Sequence, residues 1–93
     1  MKIHELNILE QDADEIIAGN KMFEITENDE CYQKGDHIRF KAIKEITYGY
    51  GGKDKIAHKI NKRMYKITYV LSGWGLKNGY VALGIRDACD EAD

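Results

Sequence analysis

Lys21 and Glu24, three residues apart in the stretch AGNKMFEITENDECYQKGD, are of types that could do acid–base chemistry. A lysine and a carboxylate can exchange a proton when burial tunes both toward the working pH. They can equally be two solvated charges, an exposed pair contributing about 0–1 kcal/mol. On a regular strand, residues three apart face opposite sides. The two side chains therefore meet only if Lys21 lies in the turn before the strand. Spacing alone favours the solvated pair, and no activated nucleophile accompanies them. Asn28 and Asp29 follow closely. As ordinary turn residues they cap local backbone N–H groups, and they would fix the loop beside any cleft.

A second constellation is basic. Residues 1–33 carry two basic and nine acidic side chains, residues 34–69 ten and three, and residues 70–93 two and four. The net charge of −2 thus hides a strongly basic middle. Arg39, Lys41, Lys44, Lys53, Lys55, Lys59, Lys62, Arg63 and Lys66 are interleaved there with Tyr48, Tyr50, Tyr65 and a glycine-rich loop. Such runs usually form a solvated face. With aromatics among them they can also hold single-stranded nucleic acid, cations on phosphates and rings on bases, at about 1–3 kcal/mol per stacked base. Trp74, flanked by glycines, is expected to plug the core and is kept as a secondary site candidate.

Other chemistries find little support. Cys31 and Cys89 form no metal-ligand spacing, which predicts free thiols in a reducing compartment. His4, His37 and His58 are scattered, so neither a metal nor a cofactor is expected. No apolar run approaches the roughly 20 residues of a spanning helix. The first residues do not read as a signal peptide, and a cytoplasmic location is the expectation.

The elements that must position these residues follow from pattern. Ninety-three residues make one domain, taken as 1–86 with an acidic tail at 87–93. Residues 2–8 suit a strand and 11–18 a short helix, with Asp12 and Glu15 forming a capping box and Gly19 just past its end. MFEIT is a strand. HIRFKAIKEI alternates Ile38, Phe40 and Ala42 against His37, Arg39 and Lys41. HKINKRMYKITYVL puts Tyr65, Ile67, Tyr69 and Leu71 on one face, and YVALGI is the last strand. Several short strands and one helix predict a mostly β, α+β fold, closed or nearly closed.

The ordered series His4-Glu5-Leu6, then Gly19, Lys21, Phe23, Glu24 and Ile25, Asn28-Asp29, Gly35-Asp36, Ile67 to Leu71 and Gly75 to Gly84 resembles a family of small bacterial and phage proteins. That family is of the PUA-like superfamily, close to ASCH domains. The resemblance implies a five- to six-stranded pseudo-barrel with a helix near its start. It also implies RNA or a nucleotide-like ligand bound in a cleft beside GNKMFE, with Lys21 and Glu24 lining it. This turns the preference for that pair from solvated to functional. The family pattern usually carries Arg where this chain has Thr26 and Glu30, so positive charge is missing from the expected cleft.

Three classes of function compete. The first is a non-catalytic RNA- or nucleotide-binding module using Lys21, Glu24, Thr26, Asn28, Asp29, Arg39, Lys41, Tyr50, Lys62, Arg63 and Trp74. The second is an ASCH-type amidohydrolase on acylated nucleosides. It is disfavoured because Glu24 stands where such relatives carry a nucleophilic Thr. The third is a protein-interaction domain of a phage or accessory factor, using the acidic N-terminal face.

Overall fold

Side-chain alternation shapes the molecule. The computed structural model describes residues 1–45 and 53–88. Tyr48, Tyr50, most of the glycine-rich loop and Cys89 lie outside the described residues. The elements are β1 (Ile3–Leu9), α1 (Glu10–Ile17), β2 (Phe23–Glu27), β3 (His37–Glu45), β4 (Lys53–Lys55), a 3₁₀ turn (Lys59–Lys62), β5 (Tyr65–Ser72) and β6 (Tyr80–Asp87). They form one six-stranded mixed sheet in the order β1-β3-β5-β6-β2, with β4 on β3. The β1–β3 pair is parallel and the others are antiparallel.

The fold is mostly β with one short helix, and barrel-like. Ile8, Ile38, Phe40, Ala42, Tyr65, Ile67, Val81, Leu83 and Ile85 all point inward, where Ala13 and Ile16 of α1 and Ile60 of the 3₁₀ turn join them. The period-two face of β3 is the one expected from the sequence, because one side of the strand must bury its apolar residues. No helix among the described residues is long and apolar enough to cross a membrane.

Four local expectations are corrected. The helix opens at Glu10 after Leu9, with no side-chain cap. Asp12 lies within the first turn, so the capping box does not form. Residues 59–62 coil into the 3₁₀ turn rather than a strand, because Ile60 must reach the core. The third correction lies in β5. Ile67 pairs with Ile85 and Tyr69 with Gly84, so Thr68 is an extra residue in a bulge. An extra residue inverts the alternation beyond it, so Tyr69 faces solvent while Val70 packs on the core. Lastly, the tail begins later than residue 87. Asp87 belongs to β6 and pairs with Arg63, and the buried Ala88 donates its N–H to Met64 O at 2.8 Å.

Candidate functional site

Gly19 ends the helix in the left-handed region, at φ 82°. Its N–H bonds Ile16 O, and the Asn20 N–H bonds Glu15 O. This is the paired-bond stop that glycine favours, because it has no Cβ to clash. The chain reverses and leaves Lys21 in the turn before β2, the one geometry in which it meets Glu24. Lys21 Nζ lies 2.8 Å from Glu24 Oε1 and 3.4 Å from Asp12 Oδ1. It also stands 5.4 Å from the centre of the Phe23 ring.

Desolvation raises the Glu24 carboxyl, the Lys21 ammonium pulls it back, and Asp12 raises it again, for a net rise above the ordinary carboxylate value. Burial lowers Lys21, but the two carboxylates more than offset that and hold it above its ordinary value. Two anions around one cation favour protons on both partners. The Ile85 N–H bonds Met22 O, and the Asn28 N–H bonds Gly79 O. The even residues of β2 thus bond to β6, and the Ile25 N–H faces the open edge. The Ile25 N–H near the Glu24 carboxylate favours its charged form. The GNKMFE segment is therefore a clasp joining helix, turn and edge strand.

The loop after β2 walls a concavity of about 440 Å³, lined by Asn28, Asp29, Glu30, Cys31, Tyr32, Gln33, Val70, Ser72 and Val81. His4 props this loop from inside the barrel. Its side chain is 0% exposed, with Nδ1 2.6 Å from Glu30 Oε1 and Nε2 2.9 Å from Asp36 Oδ2. The ring thus bridges two carboxylates, one at each nitrogen. The Tyr32 ring packs 4.6 Å from the His4 ring, and its hydroxyl donates to Asp29 at 3.4 Å. Burial and the neighbouring Asp29 and Glu30 push the Tyr32 phenol up to about 12, with Thr26 acting the other way through a hydrogen bond. The His4 hydrogen bond holds Asp36 below its ordinary 3.8, against burial, and the N–H groups of Lys2 and Gln33 help. This cleft is acidic, and a phosphate placed in it would meet carboxylates. Cys31 is a free, exposed thiol. No group of three or more His, Cys, Asp or Glu among the described residues could hold a metal ion.

The other sequence candidates do not converge on this cleft. Arg39 and Lys41 lie on the outer face of β3, and Lys41 pairs with Glu5 at 3.2 Å. Lys62 is exposed in the 3₁₀ turn, and Arg63 pairs with Asp87. Tyr50 lies outside the described residues. Trp74 is no core plug. It is 90% exposed in the β5–β6 connection, at φ 49° between Gly73 and Gly75, which also have positive φ. Consecutive left-handed residues turn the chain back on itself there and carry the ring out of the core.

Two arrangements escaped the sequence reading. Lys34, Lys66 and Arg86 gather around Gly35, Ile67 and Thr68 in a concavity of about 480 Å³. Only Lys66 belonged to the expected strip, because the cluster forms through the Gly35 N–H to Ile67 O contact and the Lys66–Arg86 register. The second is the His4–Glu30–Asp36 triad. Its signal was present, since His4 shares the parity of Leu6 and Ile8.

Residues 3–85 match the family described as domain of unknown function DUF3850. The chain belongs to that family. No curated protein matches it.

Proposed function

We propose that the chain is a non-catalytic module that binds single-stranded RNA or a nucleotide-like ligand, with phosphates at Lys34, Lys66 and Arg86. The observation that carries this reading is the basic concavity itself. Three cations line it with a glycine, an isoleucine and a threonine. Gln33 of the acidic cleft is followed in the chain by Lys34 of the concavity. The cleft offers hydrogen-bonding groups suited to base edges, and the concavity offers charge suited to a backbone.

Catalysis is disfavoured by local chemistry. Lys21 and Glu24 are occupied by each other, and Lys21 also by Asp12.

The test is titration of a fluorescent oligouridine at several salt concentrations. Each phosphate neutralised on a single strand contributes about −0.7 to the slope of log K against log salt, so three contacts give a slope of about −2. Lys34→Ala, Lys66→Ala and Arg86→Ala should each flatten it by about 0.7, while Lys62→Ala leaves it unchanged. Absence of binding at low salt would overturn the reading.

A further inference from the structure

The middle of the outer face of the three strands β5, β6 and β2 carries exposed apolar residues, Tyr69, Phe23 and Ile25. The register sets Tyr69, Gly84 and Phe23 in one row across the strands, and Leu71, Ala82 and Ile25 in the next. Tyr69 is 61% exposed and Phe23 46%. Adjacent strands are about 4.8 Å apart, so the two aromatic residues stand about 10 Å apart across a glycine that has no side chain. A side chain at Gly84 would intrude: a Cβ there would sit 3.0 Å from Thr68 Oγ1 and 3.4 Å from Tyr69 Cβ. The bulge at Thr68 is what turns Tyr69 outward, and the Lys21 ammonium beside the Phe23 ring braces the other wall.

Lys66 and Arg86 are paired in register on this same outer face. Arg86 is two residues along β6 from Gly84, about 7 Å away. Lys34 adds a third cation there. Glu27 stands at the opposite end of β2, against Tyr80.

We infer that Tyr69 and Phe23 form a stacking slot for one base of a single-stranded nucleic acid whose phosphates lie on Lys66, Arg86 and Lys34. This rests on the RNA-binding reading and names its surface: the outer sheet face rather than the cleft beside GNKMFE. The combination selects the occupant. Exposed rings on a sheet bind flat apolar faces, and cations bordering one end ask for an anion next to that face. A nucleotide carries both at this spacing. A stacked base contributes without releasing counterions, so aromatic and cationic substitutions leave different signatures.

The experiment uses a short oligouridine bearing one 2-aminopurine, whose fluorescence is quenched when its ring stacks. With the full chain, quenching should accompany binding. Tyr69→Leu and Phe23→Leu keep an apolar side chain on the face and remove the ring. Each should weaken binding tenfold or more and abolish the quenching, with the salt slope unchanged. Tyr69→Trp should retain both. Lys66→Ala should flatten the slope and leave the quenching at saturation. If the leucine variants bind and quench like the wild type while Lys66→Ala flattens the slope, the slot is overturned and the RNA-binding reading stands. If the wild type binds no RNA at low salt, both fall, and the face is left to a protein partner.

Discussion

His4, Asp36 and Glu30 concentrate the polar energetics of the interior. Asp36 takes the His4 ring N–H and the N–H groups of Lys2 and Gln33, so one carboxylate ties β1 to the loop before β3. Removing a buried partner strands the others, at about 1–3 kcal/mol. Asp36→Asn should lower stability by that amount at neutral pH in urea unfolding. Because the folded-state pKa of Asp36 is depressed, its contribution is present above the unfolded value of 3.8 and is lost as pH falls through the lower folded one. The variant should therefore lose less stability than the wild type over that acid range. Glu24 acts with the opposite sign. Its folded pKa is raised above 4.5, so its contribution is full below that value and is lost as pH rises through the folded one. Lys21→Met leaves Asp12 and Glu24 facing each other with no cation between them. It should cost about 1–3 kcal/mol, and adding Glu24→Gln should recover part of the loss, both read by denaturant midpoint.

At the scale of elements, turns decide where side chains arrive. Gly19 has open space around a would-be Cβ, so Gly19→Ala introduces only left-handed backbone strain. The expected loss is about 1 kcal/mol, measured by thermal unfolding, and it should loosen the approach of Lys21 to Glu24. The β5 bulge is the second such device. Deleting Thr68 would remove the extra residue and leave strict alternation with Tyr69 still outward and Val70 still inward. That deletion should therefore preserve the inward set, read as a urea-unfolding midpoint close to that of the wild type. At the far end of β6, Asp87 and Ala88 are tied down by Arg63 and Met64. Truncation after residue 86 should therefore destabilise the fold, which limited proteolysis would register as faster digestion.

Across the whole molecule, charge is sorted by surface rather than by sequence position. The acidic first third supplies the cleft, through Asp29 and Glu30. The basic cluster draws Lys34 and Lys66 from the middle and Arg86 from the last strand, beyond the strip that the sequence marked. Long-range attraction of an RNA strand to this face should weaken as ionic strength shortens the Debye length from about 30 Å at 0.01 M to 8 Å at 0.15 M. The association rate of oligouridine in stopped flow should fall steeply over that range, and more gently in Lys34→Ala.

Local pattern by itself determined the β-rich class, the helix and its glycine stop, and the inward face of β3. Each of these depends on period-two alternation or on the conformational freedom of one residue. It also confined any Lys21–Glu24 contact to the turn before β2. Tertiary structure alone decided the rest. A bulge is invisible in a sequence whose alternation looks unbroken, so the exposure of Tyr69 awaited the partner strand. Trp74 read as core by composition and lies in solvent, because three successive left-handed residues form its turn. Asp12, suited by spacing to cap a helix, was captured instead by Lys21 from beyond that helix. The meeting of residues far apart in the chain, His4 with Asp36 or Lys34 and Arg86 around one concavity, depends on strand order and register, which no local spacing encodes.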